Sequence, residues 1–415
     1  MLFERLSISN WRQFSEVDIE FSSSVTILTG ANGAGKSTLL RLLSQHFGWY
    51  SPFLGTPVQD RQGIFRYLYG VLRSRRGGYD HLGGNPIGEI RYSNRSISRL
   101  IVPASDGVQF NVSVSNQQHV EGLFIPSHRP MPNYQPIDSI PTFNITAEQA
   151  YQSYFSELSQ KYNNTYSQFS PTYRMKEAII SMATFGPGNE SLVPNYESLR
   201  IFREFEDTLR VVMPTDIGFK KISVRMPDVV FETDSGDFVI DAASGGIMSL
   251  IDLAWQVFLY SQGKSEYVVV LDEPENHLHP SMQRTILSSM VKAFPTAQFI
   301  VATHSPFIVS SVKDARVYVL RHETPEAGFV SANSVSSILL DQVSKAGTAS
   351  EILRAALGVP VTTAIWVEEE LQRIATDFSI DDMTAESLNN LRQRLENSGL
   401  EDYYPEALRE MAARR

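Results

Sequence analysis

Residues Gly30 to Ser37, GANGAGKS, carry the densest chemistry in the sequence. They fit G-x-x-x-x-G-K-[ST], a spacing that lets the backbone curl until its N–H groups converge on an anion at the positive end of the next helix. Gly30, Asn32, Gly33, Ala34 and Gly35 would form the curl, Lys36 would bring a point charge to the outer phosphates, and Ser37 would ligate Mg²⁺. A Gly-rich turn matches this pattern by chance in on the order of one percent of chains of this length and composition. Nucleotide binding is therefore the expected role.

A second cluster ends the run VVVLDEPE. Its four apolar residues suit a strand buried in a parallel sheet, which would deliver Asp272 and Glu273 to the carboxyl edge where open α/β sheets bind ligands. Asp272 would hold the metal, and Glu273 would orient and deprotonate the attacking water. His304, in VATHSP at the end of the next strand, would reach the same edge and hydrogen-bond a γ-phosphate or the water. Alone, an acidic pair is often a turn and a strand-capping histidine often structural. The glycine loop upstream is what gives them a common purpose. Ser244-Gly245-Gly246 precedes an apolar helix and makes a second anion-ready helix N-terminus. His277 and His279 lack a third nearby ligand and are not read as a metal site. Trp255 and Trp366 are read as core.

Regular elements must carry these groups. Residues 1 to about 48 read strand, strand, strand, loop, helix: LSISNW and VDIEF alternate, VTILTG is a buried run, and Leu39, Leu40, Leu42 and Leu43 follow helical spacing. An antiparallel insertion is expected at EIRYS, GVQFNVSVS and GLFIP. From Thr146 to Met213 helices dominate, with Tyr151, Tyr154, Phe155, Leu158 and Tyr162 on one face and Ile201, Phe205 and Leu209 on another. Strands return over 218 to 240, with a hairpin signal at Asp234-Ser235-Gly236-Asp237. IMSLIDLAWQVFLY is apolar on nearly every side and reads as a buried helix. YVVVLDEP, a helix opening at Pro280 with Met282, Ile286, Met290 and Phe294 inward, and QFIVATHS make a βαβ unit. The tail from 334 onward reads as helical and acidic, with a capping box at Thr348 to Glu351. The expected divisions are 1-145, 146-217, 218-333 and 334-415: a first half with the glycine loop, a helical insertion, a second half with the acidic pair, and a C-terminal lobe.

Composition narrows the class. The 415 residues are 42% hydrophobic and 20% charged, enough for two or three folded lobes and unlike a disordered or collagen-like chain. No cysteine occurs, which removes disulfides, thiolate metal sites and cysteine nucleophiles. A net charge of −10 disfavours indiscriminate phosphate binding. Yet residues 60 to 99 hold eight arginines against three acids, Arg73, Arg75 and Arg76 among them, and could contact nucleic-acid phosphates. Sparse aromatic interleaving favours a solvated loop or an intersubunit surface instead. With no signal peptide and no apolar run of roughly 18 residues, a cytoplasmic location without membrane contact is expected.

SISNWRQFSEVDIEF, GANGAGKSTLL, ASGG, LDEPENHLHP and ATHSP together resemble the ABC-type ATPase heads of the SMC, RecF and OLD superfamily, in family order over residues 1 to about 310. HLHP after the acidic pair is similar to the OLD-like and RecF-like branch. The resemblance implies an α/β P-loop NTPase of ABC/SMC-head type with an antiparallel β subdomain, a short helical insertion and a helical C-terminal lobe. It implies ATP sandwiched between two heads of a homodimer or higher homo-oligomer. Ser244, Gly245 and Gly246 of one chain would complete the site built by Gly30 to Thr38, Asp272 and Glu273 of another. Glu275 to Leu278 would line the seam, and Arg12 would lie near the phosphates. Two features depart from the pattern: Ile247 stands where LSGGQ-type signatures have Gln, and the usual glutamine between the P-loop helix and the helical insertion is not located.

The interval from Ser127 to Phe219 is short and free of heptads, so the coiled-coil arms of SMC proteins are excluded. IWVEE, Ile365 to Glu369, is similar to the start of a Toprim nuclease domain, but the roughly 50 residues that follow cannot supply one. What is left most resembles the ATPase subunits of bacterial antiphage systems such as PARIS and Septu. That resemblance implies a slow, regulatory ATPase acting as an oligomeric sensor and scaffold. Its nucleotide state would retain or release a separately encoded effector, a nuclease or toxin, in answer to a phage-derived trigger. The alternative is a RecF-like DNA-repair ATPase using the arginines of 60 to 99.

Overall fold

Alternating residues at the N-terminus form the antiparallel pair β1 (Phe3–Trp11) and β2 (Phe14–Glu20), and VTILTG becomes β3 (Val25–Gly30), buried along its whole length. The glycine loop then leads into α1 (Lys36–Ser44), whose four leucines are buried. The computed structural model describes residues 1–408 apart from 60–62, 64, 71–83, 105–106, 130–132, 324–333, 342–346, 356–363, 379–383 and 406. Arg73, Arg75 and Arg76, the centre of the arginine-rich patch, lie outside the described residues. Short strands β4 (Phe53–Leu54), β5 (Thr56–Gln59) and β6 (Phe65–Leu68) follow α1. Next come β7 (Gly84–Tyr92), β8 (Ile97–Pro103), β9 (Gln109–Phe110) and β10 (Ser113–Ser115), and the chain β10-β8-β7-β1 is antiparallel throughout. The insertion thus widens the main sheet.

GLFIP departs from the antiparallel expectation. Its strand, β11 (Gly122–Ile125), pairs parallel with β15 (Tyr267–Asp272), the strand of the acidic pair. All four of its residues are buried, and an apolar run without alternation suits a covered parallel strand better than a half-solvated hairpin. The helical insertion consists of α2 (Ala147–Tyr162), α3 (Pro171–Phe185) and α4 (Tyr196–Val212), capped by Thr146, Ser170 and Asn195. Tyr154 and Leu158 of the predicted face are buried while Tyr162 at its far end is exposed. A small antiparallel sheet of β12 (Phe219–Arg225), β13 (Asp228–Thr233) and β14 (Phe238–Val239) precedes α5 (Gly245–Ser261), which is buried without a break from Ile247 to Leu259.

The helix expected after Pro280 is two, α6 (Pro280–Gln283) and α7 (Ile286–Ala293), followed by β16 (Ala297–Ala302), α8 (Pro306–Val309) and β17 (Arg316–Glu323). The tail is not helical at its start: β18 (Ser334–Leu339) inserts between β2 and β17. Ser337 explains how a serine-rich segment serves there, since its hydroxyl both accepts from the Asp18 N–H and donates to the Asp18 carbonyl. The capping box at Thr348 and Glu351 forms on both sides. Among the described residues the main sheet has eleven strands in the order β10-β8-β7-β1-β2-β18-β17-β3-β16-β15-β11, parallel from β17 to β11.

Period-two alternation feeds two hydrophobic layers. Val268 and Val270 of β15 join the leucines of α1 on one face, while Val269 and Leu271 pack with α5 and the helical insertion on the other. The chain divides into two units, Met1–Gly358 and Val359–Arg415. In the second, Val367, Leu371, Leu391 and Leu395 make a small core. Trp366 is not in it: one residue off that inward stripe, it stands 61% exposed, whereas Trp255 is buried. No helix among the described residues is long and apolar enough to cross a membrane.

One buried ion pair ties the helical insertion to the approach of α5. Lys176 of α3, fully buried, holds Asp241 Oδ2 at 2.7 Å and the Gln135 carbonyl at 2.5 Å. Breaking such a pair on one side costs about 3–5 kcal/mol because a buried charge is stranded, while replacing both partners by apolar groups is often neutral. Lys176→Met is expected to lower Tm markedly and Lys176→Met/Asp241→Leu to recover most of the loss, measured by calorimetry. Equal melting of the two variants would show the pair to be irrelevant.

Candidate active site

Three neighbouring parallel strands deliver the chemistry to one edge. β3 ends in the glycine loop, β15 in Asp272, and β16 in the loop holding His304; Asp272 pairs in register with Ala302, and Ala302 with Leu28. The loop has to be glycine at its ends. A Cβ on Gly30 would strike the Leu320 carbonyl, and Gly35, at φ 100°, is packed against the Phe14 ring and 2.6 Å from the Gln13 amide nitrogen, measured from where its Cβ would sit. This cradle borders a cavity of about 410 Å³ lined by Gln13, Asn32, Gly33, Gly35, Lys36, Ser37, Thr38, Glu273 and His304. Ala34 is fully buried behind it.

Lys36 is buried, and its ammonium donates to the carbonyls of Gly30 (2.9 Å) and Ala31 (3.2 Å). Desolvation lowers its pKa to about 8, against the pull of Glu273, Asp272 and Glu275. His304 Nδ1 lies 3.4 Å from the same ammonium and Nε2 lies 3.5 Å from Glu273 Oε1. Burial and then Lys36 lower the His304 pKa, so the ring is neutral at pH 7 with Nδ1 accepting and Nε2–H facing Glu273. Ser37 Oγ donates to Asp272 Oδ1 at 3.3 Å. Two hard oxygen donors side by side at the mouth of an anion cradle fit Mg²⁺, whose remaining ligands would be phosphate and water. Ser37 and Asp272 would hold such an ion, which would supply charge neutralisation to a bound phosphate.

Glu273 stands in the left-handed region, φ 47°, with its N–H on the Ala302 carbonyl and its carboxylate accepting from Asn276 Nδ2 at 3.1 Å. That backbone costs strain for a non-glycine residue and turns the carboxylate over the cavity. Glu275 points inward: one oxygen accepts from Thr303 Oγ1 (2.6 Å), the His304 N–H (2.8 Å) and the Ser305 N–H (3.2 Å). It clamps the loop that carries His304.

Arg12 and the Ser244–Gly246 turn both lie off this cavity, the turn being expected to serve a second chain's site. The Arg12 guanidinium stacks over Trp11, Phe53 and Phe110 and donates to the Leu54 carbonyl. Ser244 caps α5, and a Cβ on Gly246 would meet the His277 carbonyl at 3.0 Å, so this turn packs on the one after Asp272. Gln13 was not anticipated. It sits beside Arg12 in the β1–β2 turn and reaches the Gly33 carbonyl at 3.4 Å, and its only signal was that position in NWRQF. Among the described residues between α1 and the helical insertion, Ser127 to Arg129 reaches the site, and that stretch holds no glutamine.

Burial pushes Asp272 up to about 6 from 3.8, so the folded chain binds that proton more tightly than the unfolded one. Stability from this group is full at low pH and is lost as pH rises through the window between those values; at pH 7.5 the ionised carboxylate is a net cost. Asp272→Asn is expected to raise Tm of the nucleotide-free protein at pH 7.5 by roughly 2 °C or more, with the gain shrinking at pH 4. A Tm unchanged or lower at pH 7.5 would contradict it.

Known proteins are similar along most of the chain. Residues 5–170 match the family model described as "AAA domain", and residues 178–310 the one described as "AAA domain, putative AbiEii toxin, Type IV TA system". The chain is 23% identical over 336 residues to the Septu protein PtuA of Bacillus mycoides (strain KBAB4), covering 79% of this chain and 41% of that protein. It is 23% identical over 390 residues to the Retron Ec83 probable ATPase of Escherichia coli, covering 76% of this chain and 71% of that one. It therefore spans less than half the length of the first. The SMC head domain from Thermotoga maritima aligns at TM-score 0.39 and 13% identity, over 82% of this chain and 100% of that chain.

Proposed function

We propose that this chain, an SMC- and RecF-like ABC-type ATPase by its motifs and its two AAA-domain stretches, binds Mg²⁺-ATP in the Gly30–Thr38 cradle and hydrolyses it. The observation that carries this is the convergence of Lys36, Ser37, Glu273 and His304 on one cavity, with Asp272 buried behind Ser37 and bonded to it. Lys36 draws in the outer phosphates, Glu273 takes the proton of the attacking water, and neutral His304 hydrogen-bonds the γ-phosphate or that water.

The site is one-sided, which supports the sandwich reading: Ser244, Gly245 and Gly246 lie off the cavity of their own chain and would close the site of a second copy. Likeness to the Septu and retron proteins supports a role in antiphage defence. There the chain would be a cytoplasmic sensor and scaffold, turning over slowly, whose ATP state holds or frees a separately encoded nuclease or toxin in answer to a phage-derived trigger.

Lys36→Ala is expected to weaken ATP binding on the order of 100-fold or more in a titration. Glu273→Gln should still bind ATP but hydrolyse it at least roughly 100-fold more slowly, accumulating the ATP-bound oligomer in light scattering. Undiminished affinity in the first, or normal phosphate release in the second, would remove the residue from its role.

A further inference from the structure

Arg129 belongs to none of the sequence motifs, yet it holds the main chain of the base. It follows β11 on the stretch that leads to the helical insertion, and its Nη2 donates to the Glu273 carbonyl at 3.2 Å. Two residues earlier the Ser127 carbonyl accepts from Asn276 Nδ2 at 3.2 Å, and that same amide nitrogen donates to Glu273 Oε2. One short connection thus grips Glu273 at both ends, at a residue whose φ of 47° needs external support.

The guanidinium is buried in the field of two carboxylates on other elements. Asp252, two turns into α5 from the Ser244 cap, and Glu275, the clamp of the His304 loop, are the acidic groups acting on it. Asp252 is itself buried and bonded to Gln256 Nε2 at 3.0 Å. Arg129 Nε and Nη1 and Glu275 Oε2 are buried and find no hydrogen-bond partner among the described residues. Unused buried donors are costly, and native proteins keep few of them without a use.

We propose that Arg129 is a positioning residue for hydrolysis: it fixes the Glu273 backbone in its left-handed conformation, while the Ser127 carbonyl on the same stretch holds the Asn276 amide that orients the carboxylate. The proposal rests on Glu273 being the base.

The test uses the full chain with Arg129→Met, Arg129→Lys, Asp252→Asn, Arg129→Met/Asp252→Asn and Arg129→Met/Glu273→Gln, reading Tm, ATP dissociation constant, KM and kcat. Arg129→Met should lower kcat on the order of 100-fold while the ATP dissociation constant stays within about 3-fold, because only the base is displaced. Arg129→Lys should recover part of kcat. Arg129→Met/Asp252→Asn should regain Tm, since no buried carboxylate is stranded, without regaining kcat. Arg129→Met/Glu273→Gln should be no slower than Glu273→Gln alone. Recovery of kcat together with Tm in the Asp252 double variant, or additive losses in the Glu273 one, would reduce Arg129 to a structural residue and overturn the proposal. Normal kcat in Arg129→Met beside an inactive Glu273→Gln would sink Arg129 alone; normal kcat in Glu273→Gln would sink the base assignment.

Discussion

A buried ammonium in the field of three carboxylates at a sheet edge is the constraint on which the rest of this molecule depends. Lys36 is held by loop carbonyls within a cluster of Asp272, Glu273 and Glu275, and burial raises the proton affinity of Asp272 and Glu275 while lowering that of Lys36. Lys36, Asp272 and Glu275 are each held where burial disfavours the ionised form. On the proposed reading, a triphosphate and a divalent cation would relieve both signs at once. Backbone strain at Glu273 belongs to the same pattern, since stability is given up where the chemistry needs a fixed carboxylate.

The architecture serves that edge. Parallel β3, β16 and β15 lie side by side in register and end together, which puts the cradle, the His304 loop and the acidic pair within hydrogen-bond reach. Burial on both faces of these strands fixes the register, because a one-residue slip would exchange the two hydrophobic layers. Behind the edge, Glu275, Asn276 and Arg129 connect the three loops to one another.

Much of this was legible in the residues themselves. The glycine loop, Asp272, Glu273 and His304 announce themselves because close backbone approach and charge at a strand end restrict which residues serve. The buried strands and α5 are equally plain, as an unbroken apolar run has few alternatives. What stayed hidden depends on partners distant in sequence. β11 looks like any short apolar strand until β15 is beside it, and β18 is recognisable only when the Ser337 hydroxyl meets the backbone of Asp18. Arg12 was drawn off the cavity by three aromatic rings. Arg129 and Gln13 have no local signature, since their contacts are with main-chain carbonyls rather than with a motif.

The central claim is that ATP sits at a composite site, with the cradle of one copy facing the Ser244–Gly246 turn of another. Complementation in the Glu273→Gln background tests it most directly. Lys36→Ala destroys one surface and Ser244→Arg the other, so neither variant alone should retain slowly released ATP. Mixed in equal amounts they should regain retention at roughly one quarter of the parent level, because half the dimers are mixed and each of those carries one intact site. A mixture that retains no more ATP than its two components measured separately would contradict the account.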